Sequence, residues 1–178
     1  SGPGRSVIDA GGNYAAVKFL GEGHGISGFT IRGGSSHGVY VPAGRHHVQR
    51  CLITGNGDRG IYLSTMSGDG RATIDHCTIV DNEVSGIYDA NEGPGTKVTS
   101  CIIARNGRGI SFDGKKDETI VVSYSCLNNR DTNNDDFDGA GNITSDPKFV
   151  NPAKGDYRLK AGSPCKGTGA DGSDMGCF

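Results

Sequence analysis

His47-Val48-Gln49-Arg50-Cys51-Leu52-Ile53-Thr54-Gly55-Asn56 is answered, 26 residues on, by Thr73-Ile74-Asp75-His76-Cys77-Thr78-Ile79-Val80-Asp81-Asn82. In both, a cysteine opens a segment reading apolar, variable, apolar, and an asparagine follows it by five residues. Working outward, the segment recurs as Phe29-Thr30-Ile31, Cys101-Ile102-Ile103 and Tyr124-Ser125-Cys126. The first residues stand 22, 26, 24 and 23 apart, with Val7 another 22 upstream of Phe29. This period of two is that of a short strand with one buried face.

Two further motifs keep the same spacing. Ala16-Val17-Lys18-Phe19, Gly38-Val39-Tyr40-Val41, Gly60-Ile61-Tyr62-Leu63, Gly86-Ile87-Tyr88-Asp89 and Gly109-Ile110-Ser111-Phe112 form one series. Val48, Ile74, Val98 and Val121 form another, each three residues before Cys51, Cys77, Cys101 and Tyr124. Three short strands per coil with no helix between them predict an all-β triangular solenoid of about six coils. Asn56, Asn82, Asn106 and Asn129 fall in one corner column, preceded by Gly34. Asparagine tolerates a left-handed corner, and its amide can bond to the next coil, so an asparagine ladder is expected.

Composition agrees. Of 178 residues, 34% are apolar, 31 are glycine and none is tryptophan, which suits frequent turns and a narrow core. No helical apolar period is sustained, and no apolar run reaches membrane-spanning length. The formal charge of −2 argues against a nucleic-acid partner. Ser1-Gly2-Pro3-Gly4 reads like mid-fold sequence rather than a signal peptide. The expectation is a native chain extending upstream, with an open first coil near Val7 that favours self-association.

The repeats and the asparagine column resemble the right-handed parallel β-helix superfamily that includes the pectate lyases, over most of residues 5–150. The stretch from Gly141 to Phe149, with Gly155-Asp156-Tyr157-Arg158-Leu159 and Gly162-Ser163-Pro164, is similar to the closing segment of many bacterial secreted β-helix proteins. The resemblance implies coils over 1–150 and a closing segment of the same domain over 151–178. It also implies a secreted or cell-surface protein in contact with polysaccharide.

Six cysteines raise the question of disulfides. Cys51, Cys77 and Cys101 fall in one inward column and Cys126 in the adjacent one with Ile53, Ile79 and Ile103. Parallel side chains in a ladder oppose bridging geometry, so these four read as free buried thiols. Cys165 and Cys177 bracket a Gly-rich tail, and a bridge between them would tether it; the alternative is two more buried thiols.

Outward residues carry the candidate chemistry. Tyr40, Tyr62 and Tyr88 share a row with Lys18 and Ser111, readable as a platform for sugar rings or as aromatic reinforcement of the ladder. On the strand before the cysteines, His47, Thr73 and Lys97 face out with Gln49, Asp75 and Thr99 beside them. Arg50 and His76 stand at the next corner, and Arg45 and Arg71 begin the strands. In pectate-lyase-like enzymes this strand forms the substrate cleft, and its cations would attract a polyuronate. A lyase activity by β-elimination would need a base, for which His47, His76 and Lys97 are available. Arg50 and Arg71 would stabilise the enolate-like charge, and Gln49 and Asp75 would hold substrate. The opposing reading is a solvated polar face on a non-catalytic structural or adhesin-type module of a larger surface protein. Asp131, Asn133 and Asp135 lie in an acidic insertion that could hold Ca²⁺ or form a plain acidic loop. Asp89 takes the column of Val41, Leu63 and Phe112, and a strand ending at Tyr88 is the preferred explanation.

Overall fold

Short strands alternate with sharp corners in a computed structural model that describes residues 6–42, 44–64, 72–90, 95–113, 120–132 and 137–178. Three parallel sheets run the length of this solenoid. The first contains Val7–Asp9, Thr30–Arg32, Leu52–Thr54, Thr78–Val80, Ile102–Ala104 and Cys126–Asn128. The second contains Ala15–Lys18, His37–Val41, Arg59–Leu63, Ser85–Asp89 and Arg108–Phe112. The third contains Gly25–Ser27, His46–Gln49, Ala72–Asp75, Thr96–Thr99 and Ile120–Ser123.

The core is built from stacked columns. Ile31, Ile53, Ile79, Ile103 and Leu127 supply one wall, and Val39, Ile61, Ile87 and Ile110 the second. Val48, Ile74, Val98 and Val122 supply the third, and all of these are buried. Cys51, Cys77 and Cys101 fill the corner between the third and first sheets. Their thiols donate to backbone carbonyls, Cys77 Sγ to Val48 O at 3.4 Å and Cys101 Sγ to Ile74 O at 3.5 Å. A small weak donor suits a narrow corner with carbonyls beneath it.

At the corner between the first and second sheets the asparagines are buried and hydrogen-bonded in sequence. Asn56 Nδ2 donates to Asn82 Oδ1 at 2.8 Å, Asn82 Nδ2 to Asn106 Oδ1 at 3.0 Å, and Asn106 Nδ2 to Asn129 Oδ1 at 2.9 Å. Each amide group also reaches back to a first-sheet carbonyl, as from Asn106 to Ile79 O. The left-handed residues are not the asparagines. They are the residues just before the column, Gly33, Gly55, Asp81 and Arg105. The asparagines hold the corner through their amides, and the preceding residue makes the bend.

The strand register shifts by one near both ends. Val7 pairs with Thr30 rather than Phe29. Ser125, not Tyr124, takes the cysteine column, its hydroxyl accepting from Cys101 N at 3.1 Å. Cys126 therefore pairs with Ile102 and Leu127 with Ile103, while Val122 points inward and Val121 is exposed. The last asparagine corner is one residue shorter than its neighbours, so the five-residue interval from Tyr124 to Asn129 does not mark the strand start there as it does in the earlier coils. Asp89 also departs from expectation: it lies within its strand, opposite Leu63 and Phe112, and is buried.

The chain after residue 137 covers the outside of the first sheet. An antiparallel hairpin, Phe149–Asn151 with Asp156–Leu159, brings Phe149 and Tyr157 against Leu52, Val80, Ile102 and Cys126. Cys165, Met175 and Cys177 complete this second apolar cluster. The expected Cys165–Cys177 bridge is not formed: all six cysteines are buried free thiols. Cys165 instead meets Cys126, whose hydrogen bond is the main influence drawing the Cys165 thiol down.

Candidate functional site

The third sheet turns its outer face to water as two rows. His47, Thr73, Lys97 and Val121 pair in register as one, and Gln49, Asp75, Thr99 and Ser123 as the other. His47, Gln49 and Lys97 are exposed, while Thr73, Asp75 and Thr99 are half-buried. One strand separates His47 from Lys97, so their backbones lie roughly 10 Å apart. The row therefore presents two basic groups along the solenoid axis with a hydroxyl between them.

The corner beyond this face has an unusual backbone. Gly28, Arg50, His76, Ser100 and Tyr124 all take positive φ, at 82°, 49°, 47°, 54° and 48°. Four non-glycine side chains are thus held in a conformation that bulky L-residues rarely adopt, and the stacked coils fix them there. Arg50 is exposed, whereas His76 is covered by the C-terminal tail.

The His76 imidazole has three polar partners. Its Nδ1 lies 2.9 Å from Asp75 Oδ2, and its Nε2 lies 2.9 Å from Ser173 Oγ and 3.5 Å from Asp171 Oδ1. Serine hydrolases use the same three residue types, carboxylate, imidazole and hydroxyl. Here, however, Ser173 Oγ donates to Asp171 Oδ1 at 2.6 Å, so its proton is directed away from the imidazole. Hydrogen bonds from the Ser173 side chain and backbone hold the Asp171 carboxyl down to about 2. Next to it, Ala170 N donates to Ser100 Oγ at 3.0 Å and Gly176 N to Ser100 O at 2.8 Å. The arrangement clamps the tail to the corner. Both imidazole nitrogens of His76 are engaged in that clamp, and Asp75 Oδ2 is one of their partners.

Asp171 and Ser173 were not found from the sequence. Ser173 meets a residue 97 positions away, and no short-range motif marks that contact. Arg71 lies outside the described residues, as do Asn133 and Asp135 of the proposed calcium loop. Asp131 sits 3.4 Å from Arg108 Nε. Among the described residues no group of three or more His, Cys, Asp or Glu side chains is placed to hold a metal ion.

The tyrosine row forms as expected, Lys18, Tyr40, Tyr62, Tyr88 and Ser111 pairing in register. Its rings contact one another, stacked at one step and tilted by 54° at the next. Tyr40 and Tyr62 stack with centroids 5.4 Å apart and planes 15° apart, and Tyr88 follows at 5.5 Å. Lys18 Nζ lies 5.4 Å from the Tyr40 centroid, and the Arg59 guanidinium lies 5.0 and 4.3 Å from those of Tyr62 and Tyr88. Neighbouring rings and cations pack against these part-buried rings, contacts of the kind that reinforce a sheet. The Tyr88 hydroxyl donates to Asp113, which with burial pushes the phenol up to about 12.

Comparison with known families agrees with this geometry. The model of a family described as a right-handed beta helix region matches residues 15–162. A search of the curated proteins finds none that matches the chain.

Proposed function

The chain belongs to the right-handed β-helix family, and we propose that it binds an acidic polysaccharide along the outer face of its third sheet. The observation that carries this reading is the exposed His47–Thr73–Lys97 row, with Gln49 beside it and Arg50 at the adjoining corner. Basic groups repeated along an axis suit a polymer of repeated carboxylates, and the hydroxyls and amide between them suit sugar hydroxyls. The C-terminal tail, fixed at His76 and Ser100, stands along one border of this face. Such polymers are extracellular, so the reading carries export with it.

Binding is favoured over β-elimination. Of the side chains available as base, His76 is held in the clamp, and His47 and Lys97 stand two coils apart. The test is affinity electrophoresis in gels containing pectate, alginate or an uncharged polysaccharide, with absorbance of unsaturated uronide products followed in parallel. Retardation by the acidic polymers without product is the expected result. Equal mobility in all gels would defeat the reading, and product formation would restore the lyase.

A further inference from the structure

A second basic surface lies on another side of the molecule, where the C-terminal hairpin meets the asparagine corner. Two adjoining hollows of about 440 and 550 Å³ share Arg105 and Asn128 as lining and so form one groove. Four cations line it, Arg105, Arg130, Lys148 and Lys160, against two carboxylates, Asp81 and Asp146, which leaves an excess of two positive charges.

The carboxylates are occupied. Asp81 receives Arg105 Nε at 2.9 and 3.1 Å and the Tyr157 hydroxyl at 2.7 Å. Asp146 accepts Lys148 N at 2.9 Å. Arg130, Lys148 and Lys160 are exposed. Arg130 Nε is anchored on Arg105 O at 3.2 Å and Lys148 Nζ on Gly162 O at 3.1 Å, so two of the three are positioned before any ligand arrives. The groove is also lined by Asn128, whose Nδ2 donates to Thr144 O at 2.8 Å and leaves its Oδ1 as the group offered to a ligand, by Asn151, and by a small apolar edge at Val150, itself 41% exposed. The backbone is also unusual. Of the seven non-glycine residues with positive φ in the described chain, Asp81, Arg105 and Lys148 all line this groove. At Asp81 and Arg105 this is the recurring corner bend, which fixes where their side chains leave the backbone.

We propose that this groove binds the carboxylate-bearing sugars of an acidic oligosaccharide, at a site separate from the third-sheet face and not dependent on it. Arg130, Lys148 and Lys160 meet the carboxylates, Asn128 and Asn151 the ring hydroxyls, and Val150 a C–H face of the sugar. The mixture of cations, amides and a shallow apolar edge fits a pyranose chain. A peptide would require deeper apolar recesses for its side chains.

The test is a backbone-amide NMR titration of the ¹⁵N-labelled protein with tetragalacturonate, using maltotetraose as the uncharged control. Saturable shifts at Asn128, Arg130, Lys148 and Asn151 with the acidic sugar alone are expected. The affinity at these amides should fall at least tenfold in R130E/K160E. The proposal is overturned by silent groove amides, by equal binding of maltotetraose, or by a double charge reversal without effect. Shifts confined to His47, Thr73 and Lys97 would overturn the groove and leave the third-sheet reading standing.

Discussion

A Cβ added to Gly60 would stand 2.8 Å from Asn82 Nδ2 and 2.6 Å from the Gly86 carbonyl oxygen. The glycine that opens each second-sheet strand and the asparagine one coil later thus occupy a single shared space. Gly38 meets Asn56 and Gly86 meets Asn106 in the same way, at 2.7 and 2.9 Å. Gly60→Ala must displace backbone as well as the amide, and a loss of about 2–3 kcal/mol is expected. Asn82→Ala leaves the buried Asn56 amide group and backbone N–H without their acceptor and is expected to cost about 3 kcal/mol. Urea unfolding followed by circular dichroism measures both, and losses below about 0.5 kcal/mol would contradict the shared-space argument.

The tail clamp gives a pH dependence of known sign. Asp171 has a folded pKa of about 2, below its ordinary 3.8. A depressed carboxylate contributes stability above the unfolded value, and that contribution is lost as pH falls through the folded value. The stability difference between the wild-type protein and D171N should therefore be constant above about pH 5, shrink as pH falls, and level off only below about pH 2. A difference that grew on acidification would show that the carboxylate opposes docking.

Removing the imidazole tests the clamp by another route. His76→Ala should leave the coils folded while residues 166–176 become accessible to protease, at a cost of about 1–2 kcal/mol. Limited proteolysis with mass mapping reads this out. An unchanged digestion pattern would return His76 to the list of candidate bases.

Lys97→Ala and His47→Ala should each weaken retardation by pectate severalfold, and the Lys97 effect should fade as salt is raised, because that contact is between exposed charges. Tyr62→Phe should leave retardation unchanged, since that ring packs against its neighbours in the row. A strong effect at Tyr62 with none at Lys97 would move the binding face to the second sheet.

Alkylation of the unfolded protein without reductant should add six labels. Burial pushes the Cys77 thiol well up and keeps it unreactive in the native state. Four labels would indicate that one bridge forms in solution.

The winding was readable because it rests on columns. Isoleucine, glycine and asparagine recur with the coil, and each recurrence has a local steric or hydrogen-bonding cause. The bend itself was misassigned, since asparagine's tolerance of positive φ was taken as its role, whereas Asp81 and Arg105 make the turn and Asn82 and Asn106 bind across it. The His47–Lys97 face followed from alternation alone. The clamp was not legible, because Asp171 and Ser173 reach His76 only after the C-terminal chain folds back over the first sheet. The covering of that sheet was equally hidden. Alternation turns Leu52 and Ile102 outward, and they form the apolar seat for Phe149, Tyr157 and Met175.

Asn129 keeps its place beneath Asn106 although no bend residue separates it from Asn128, the partner of Ala104. Each asparagine therefore resets the phase of its coil, whatever the number of residues that led up to it. Length differences accumulate nowhere along the stack, so a residue gained or lost at one corner alters a single loop. Neighbouring coils are left free to diverge in what they display.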